Sequence, residues 1–124
     1  MTVEDIKQHR AFHKVLNNRA YTLFNFIKQK YGDLLDYWHN SCYNGFTLEE
    51  NSICIEYYDK AYGSEDITTI EFPLGDFCND IVKAADEWAD EVRRERAEIK
   101  KAEQQKMEDS ERRLYEHLKA KYGN

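Results

Sequence analysis

Two histidines, His9 and His13, have the types and spacing that come closest to a metal site. They stand four positions apart, so on a helix both imidazoles would lie on one face, within reach of one ion. His39 and Cys42 could complete the four ligands that zinc usually takes. A hydrolytic zinc helix needs a glutamate directly after its first histidine, whereas Arg10 follows His9, and the chain has no Cys-x-x-Cys pair. We therefore favour solvated or capping histidines, expect no metal or cofactor, and keep a metal-dependent hydrolase as an alternative.

Carboxylates are numerous, and a close pair of them could support general acid/base or metal chemistry. The candidates are Asp33, Asp36, Glu56, Asp59, Glu65, Asp66 and Glu71. At this abundance chance pairs are unavoidable, so a solvated acidic surface is the preferred interpretation. The chain also lacks a Gly-x-Gly-x-x-Gly loop, a phosphate-binding P-loop and a nucleophile elbow. The sequence therefore predicts a protein that is not an enzyme.

Aromatic residues interspersed with acids form the most suggestive binding motif. They are Tyr37, Trp38, Tyr43, Phe46, Tyr57, Tyr58 and Tyr62. Tyrosine and tryptophan anchor protein interfaces because they combine a large buried area with a polar tip, although about half of such a group would complete a small core. We expect Tyr58 and Tyr62 to be exposed beside neighbouring carboxylates. The predicted acidic-aromatic patch consists of Glu56, Tyr58, Asp59, Tyr62, Glu65 and Asp66.

The net charge of −6 is distributed unevenly. Residues 1–32 carry six Lys/Arg and two acids, residues 33–80 carry eleven acids and one lysine, and from residue 81 onward eleven bases balance eleven acids. A nucleic-acid-binding protein would present a basic face, which only the first segment offers. The basic cluster Arg93, Arg94 and Arg96 is interleaved with glutamates that pair with it along a helix. The charge pattern favours a basic protein surface as the partner and argues against direct nucleic-acid binding.

The three cysteines, Cys42, Cys54 and Cys78, are an odd number without a disulfide-type spacing. That usage fits thiols kept reduced inside a cell, so we expect a cytoplasmic protein. The uncharged run at residues 20–27 is far shorter than the ~20 apolar residues that span a bilayer, and no secretory signal precedes it. We expect no membrane partner.

Local signals predict a helix at the start of the chain. Thr2 and Asp5 form a variant of the capping box, which places the first helical residue near Val3. Tyr31 followed by Gly32 predicts the end of the helix, with Gly32 as a left-handed cap.

Three runs rich in β-branched and aromatic residues, at 46–48, 52–58 and 67–72, predict an antiparallel three-stranded meander. In the second run, residues 53, 55 and 57 face one way and residues 54, 56 and 58 the other, as strand geometry requires. Pro73 lacks an amide proton and is expected to end the third strand.

The segment from near Asp76 to Tyr122 contains no proline or glycine and is rich in Glu, Lys, Arg, Ala and Gln. Globular helices usually run about 8–20 residues, so one this long and polar is typical of a coiled coil or of an arm presented to a partner. Glu95, Lys106 and Asp109 interrupt its apolar rhythm, which indicates a short antiparallel coiled coil or a helix stabilised by i,i+4 ion pairs. We predict a homo-oligomer, a dimer, formed through Trp88, Val92, Ile99, Met107, Leu114 and Leu118.

These elements make an α+β fold, with an N-terminal helical segment, a small antiparallel meander and a long C-terminal helix of coiled-coil character. One apolar face of such a sheet needs a cover, which the first helix and the first turns of the long helix would provide. We predict a compact α+β domain at residues 1–92 and a polar extension of the C-terminal helix at 93–124.

Residues 55–59 (IEYYD) and 63–74 (GSEDITTIEFPL) resemble, in their mixture of acidic, aromatic and β-branched residues, small accessory proteins encoded by bacteriophages. Proteins of that kind often bind host or defence factors, and some acidic ones imitate nucleic acid. Our first hypothesis from the residues is a non-enzymatic acidic protein-binding module that self-associates through its long helix, and the resemblance permits inhibition of a host or defence nucleic-acid-binding factor as its role. The alternative is a structural or scaffold protein whose C-terminal helix is itself the binding surface.

Overall fold

The computed structural model describes residues 1–63 and 66–123, and its first element is the helix α1 (Val3–Tyr31). The predicted capping box is confirmed. The Thr2 hydroxyl accepts a hydrogen bond from the Asp5 N–H at 3.1 Å, and the Asp5 carboxylate accepts one from the Thr2 N–H at 2.9 Å. Two amide groups that a helix start leaves unpaired are thereby satisfied.

Helix α1 ends at Tyr31 as predicted, but the prediction of a left-handed cap at Gly32 was wrong. Gly32 has a right-handed conformation, with φ −57° and ψ −29°, and it opens a 3-10 turn, Gly32–Leu34. A Cβ atom at this residue would lie 3.3 Å from Cε1 of His39. Glycine therefore admits the His39 ring, a packing requirement that a local capping rule does not contain.

Three strands form one antiparallel sheet in the order β1 (Ser41–Leu48), β2 (Ser52–Asp59), β3 (Thr68–Pro73), which confirms the predicted meander. Strand β1 begins earlier than the predicted position 46 because its register against β2 shifts between Tyr43 and Gly45. Gly45 has a φ of 126°, which suits this bulge and lets the preceding residues stay paired. Pro73 ends β3, as predicted.

The two faces of β2 have different environments, as the alternation predicted. Ile53, Ile55 and Tyr57 are buried, whereas Cys54, Glu56 and Tyr58 are partly exposed on the outer face. Phe24 of α1 packs on Tyr57 with ring centroids 5.6 Å apart. The largest fully buried side chains besides those of β2 are Leu23, Phe24, Ile27, Leu35, Phe72 and Phe77. Each such side chain stabilises the fold by about 1.5–3 kcal/mol.

Two helices, α2 (Leu74–Asn79) and α3 (Ile81–Tyr122), replace the single long helix predicted from near Asp76. The break lies at Asp80, whose backbone is extended with φ −156° and ψ 104°. Its Oδ1 accepts hydrogen bonds from the N–H groups of Val82 at 3.0 Å and Lys83 at 3.2 Å. The predicted start was therefore wrong, because this aspartate caps α3 instead of lying inside a helix.

The chain divides into two compact units, Met1–Ala89 and Asp90–Asn124. The first contains α1, the sheet, α2 and the start of α3, where Ala84, Ala85 and Ala89 are buried. In the second unit the described residues are helical to Tyr122, and nearly all are exposed. The functional division at residues 92 and 93 stays a prediction, as does the coiled-coil character of α3.

Candidate protein-binding surface

The predicted acidic-aromatic patch is distributed over β2 and the turn that follows it. Its described members are Glu56, Tyr58, Asp59, Tyr62 and Asp66, whereas Glu65 lies outside the described residues. Glu56 and Tyr58 share the outer face of β2. The Tyr62 N–H donates to the Asp59 carbonyl at 3.1 Å, which closes a turn, and the Tyr62 side chain is 83% exposed. Asp66 is also exposed.

Tyr58 is half-buried rather than exposed. It lies opposite Cys42 on β1. The electrostatic interaction with Cys42, the hydrogen bond to its side chain and burial together raise the pKa of Tyr58. Tyr62 therefore presents more aromatic surface to a partner than Tyr58 does.

Glu56 occupies the middle strand, opposite Gly45 on β1 and Thr69 on β3. One of its oxygens accepts a hydrogen bond from the Thr47 hydroxyl at 3.0 Å. Burial and, second, the charge of Glu56 raise the pKa of Tyr43 to about 12. A carboxylate can accept several hydrogen bonds, so Glu56 retains capacity for a cationic donor.

Two further carboxylates, Glu49 and Glu71, surround Cys54, and the predicted patch omitted both. The Cys54 thiol donates to Glu49 at 3.6 Å, and Glu71 lies opposite Cys54 on β3. Burial raises the pKa of this thiol, and the charges of Glu49, Glu71 and Glu56 raise it further. A thiol held protonated is a poor nucleophile. We call Glu49, Glu56 and Glu71 the acidic sheet face. The sequence could have indicated Glu71, because alternation along β3 and its pairing with β2 place this residue opposite Cys54 on the outer face.

A concavity of about 440 Å³ lies where β2 ends and β1 begins. We call it the loop concavity; its lining residues are Asp36, Tyr37, Trp38, His39, Asn40 and Asp59. Trp38 is 65% exposed and has a φ of 52°, a left-handed conformation that few non-glycine residues adopt. Of the six lining residues, only Asp59 belongs to the predicted patch. No local pattern places Asp59 beside Trp38.

Hydrogen bonds and ring packing hold the loop concavity in place. The Lys60 N–H donates to the Asn40 carbonyl at 2.8 Å, which ties the 3-10 turn Trp38–Asn40 to the end of β2. The Asp36 N–H donates to the Tyr57 hydroxyl at 3.3 Å. Tyr37 packs edge-on against Tyr57 with centroids 5.9 Å apart. The loop is therefore anchored to a buried core residue.

The histidines that suggested a metal site have other surroundings. His13 stacks on Phe46 of β1, with ring centroids 5.0 Å apart, and His39 approaches Gly32 closely. Over residues 1–63 and 66–123, no group of three or more His, Cys, Asp or Glu side chains is arranged to hold a metal ion. The His9 and His13 pair thus has no third ligand within that part of the chain.

The residues predicted for self-association fall into two environments. Trp88 and Val92 are half-buried. The remaining four, Ile99, Met107, Leu114 and Leu118, lie in the second unit and are 43–65% exposed. These four are apolar side chains that have no cover within the described residues of their own unit.

Within the described residues, no helix is both long enough and apolar enough to cross a membrane. Comparison of the chain with models of known families, with curated proteins and with solved structures gives no match in any of the three. Its own residues are therefore the basis for any functional proposal.

Proposed function

We propose that this protein is a non-enzymatic binding module that uses its acidic surface to engage a basic surface on another protein. The observation that carries the proposal is the acidic sheet face, Glu49, Glu56 and Glu71, together with the exposed ring of Tyr62 in the turn that follows β2. Carboxylates supply charge complementarity to a basic partner, which speeds association and fixes orientation. The tyrosine supplies an apolar anchor with a polar tip.

The charge state of this surface supports the proposal. Residues 33–80 carry eleven acids and one lysine, so this part of the chain supplies few cations of its own. A cationic partner would gain the electrostatic attraction of the excess carboxylates.

The finer proposal concerns the kind of partner. Nucleic-acid-binding proteins present basic faces, so they match an acidic surface of this composition. The resemblance to phage accessory proteins supports a host or defence factor of that class as the target, with inhibition as the outcome. The cytoplasm is the compartment proposed for this encounter, because all three cysteines are free thiols.

Charge reversal tests the proposal. Partners would first be recovered from nuclease-treated host-cell lysate with the tagged protein, and the affinity of the recovered, purified partner would then be measured at two salt concentrations. The test variant changes Glu56, Asp59, Glu65 and Asp66 to Lys; the matched control changes Glu103, Glu108, Glu111 and Glu116 to Lys.

We expect the test variant to weaken binding more than about tenfold with an unchanged circular dichroism spectrum, and the control variant to bind as the wild type does. High salt should weaken the wild-type complex, because the charges are exposed. Undiminished binding by the folded test variant would reject the acidic surface as the binding site.

A scaffold protein that binds through α3 is the second candidate, and the four exposed apolar residues of the second unit favour it. In the full chain, changing Met107, Leu114 and Leu118 to Gln removes apolar surface and leaves every acidic residue in place. If this variant loses the partner while the charge-reversed variant keeps it, the helix is the binding surface. The opposite result assigns binding to the acidic surface.

A further inference from the structure

We propose that the loop concavity is a receptor for one arginine side chain of the protein partner, an inference that rests on the proposed function and extends it to a specific contact. Asp36 and Asp59 supply negative charge at this concavity, and Trp38 supplies an exposed aromatic surface. An arginine guanidinium is planar, bonds carboxylates through several N–H groups and stacks on aromatic faces. The lining therefore matches both properties of this side chain.

The exposure of Trp38 is the central observation. Tryptophan is among the largest apolar side chains and is highly buried on average, yet this ring is 65% exposed. Its left-handed backbone, with φ 52°, is strained for a residue other than glycine and persists only where the surroundings impose it. Here the Trp38 N–H donates to the Leu35 carbonyl at 3.2 Å and its carbonyl accepts from Ser41. The fold thus holds the indole at the surface, where a cation can reach its face.

The charges at the loop concavity disfavour an anionic ligand. Residues 31–59 contain no lysine or arginine, and Asp36 and Asp59 both line the concavity. Within the described chain, neither carboxylate forms an ion pair; Asp59 accepts a hydrogen bond from the Ala61 N–H at 3.0 Å through one oxygen. Both groups therefore retain acceptor capacity for an incoming guanidinium.

Size and shape favour a side chain over an enclosed cofactor. Pockets that bury small molecules are deep and mostly apolar, whereas this concavity is shallow and lined by charged and amide groups as well as rings. Its hydrogen-bonded frame, from Asp36 to Asn40, is anchored to Tyr57 and Lys60. Such preorganisation lowers the entropy cost of ordering the site on binding.

The probe is N-acetyl-arginine methylamide, titrated into the ¹⁵N-labelled full chain and followed by amide and indole NMR signals. The neutral citrulline analogue is the matched ligand control. Trp38→Phe and Trp88→Phe variants assign the two indole signals. The test variant is Asp36→Asn with Asp59→Asn; the matched protein control is Glu50→Gln with Glu103→Gln, which removes the same charge at exposed positions elsewhere.

We expect the arginine probe to shift the Trp38 indole signal saturably, the citrulline probe to leave it in place, and the test variant to raise the dissociation constant more than about fivefold. The control variant should bind the probe as the wild type does. Equal shifts with citrulline, no saturable shift, or equal affinity of the test variant would each overturn the inference.

The purified partner separates failure of this inference from failure of the proposed function. If Trp38→Leu weakens the partner complex as the acid reversal does, the arginine site is supported. A complex that is lost on reversal of Glu56 and Asp66 but unchanged by Trp38→Leu overturns the arginine site and leaves the proposed function intact. A complex insensitive to acid reversal rejects the proposed function, while saturable arginine binding at Trp38 would still support the site.

Discussion

Arg19 of α1 donates from Nε to the Phe77 carbonyl at 2.6 Å, and its guanidinium lies 5.6 Å from the centroid of the Phe77 ring. A second donor, Nη2, reaches the Cys78 carbonyl at 3.1 Å. The last carbonyls of a helix have no partner within it, so one side chain of α1 satisfies two groups at the end of α2. This contact links α1 directly to the segment that leads into α3.

Replacement of Arg19 by Met should lower the free energy of unfolding by about 1–3 kcal/mol, because two charge-assisted hydrogen bonds are lost and their carbonyls remain. Urea denaturation measures the change. Arg10→Met is the matched control, since Arg10 is exposed on the same helix, and should stay within about 0.5 kcal/mol of the wild type. Equal losses in both variants would contradict the proposed capping role.

Asp86 should make the stability of the first unit depend on acid pH. The Asp86 carboxylate accepts a hydrogen bond from the Tyr31 hydroxyl and another from Lys30 at 3.2 Å. These two bonds hold the pKa of Asp86 below its ordinary value of 3.8. The folded state thus favours the ionised carboxylate. Its contribution is complete above the ordinary pKa and disappears as the pH falls through the lowered folded-state value.

An Asp86→Asn variant tests this linkage by urea denaturation at several pH values. We expect it to be less stable than the wild type near neutrality, with the difference shrinking as the pH falls below about 4. Asp90→Asn, at an exposed position of the second unit, is the matched control. A difference that grows on acidification would contradict the sign of the pKa shift.

Self-association through α3 should depend on the exposed apolar residues of the second unit. In the full chain, Met107→Gln, Leu114→Gln and Leu118→Gln together should convert the predicted dimer to a monomer in sedimentation equilibrium, because half of the predicted interface residues lose their apolar surface. Tyr115→Gln with Tyr122→Gln is the control, since neither tyrosine belongs to the predicted set. A wild-type chain that sediments as a monomer at high micromolar concentration would reject the dimer.

Local chemistry in the sequence determined much of the fold. The Thr2 and Asp5 capping box, the alternation along β2 and the position of Pro73 involve residues close together in the chain. Their structural consequences follow from hydrogen bonding and side-chain direction within one element. For that reason the start of α1, the meander and the end of β3 were predictable.

Tertiary structure decided the features that depend on distant residues. Arg19 of α1 reaches the Phe77 and Cys78 carbonyls at the end of α2, almost sixty residues away. The Asp80 cap that separates α2 from α3 is local by contrast, and the polar composition of the segment concealed it. The loop concavity exists because the main chain of Lys60 bonds to that of Asn40 and brings Asp59 beside Trp38. Composition identified the acids and rings of the candidate surface, but only strand pairing and loop closure determined which of them meet, since those contacts join residues far apart in sequence.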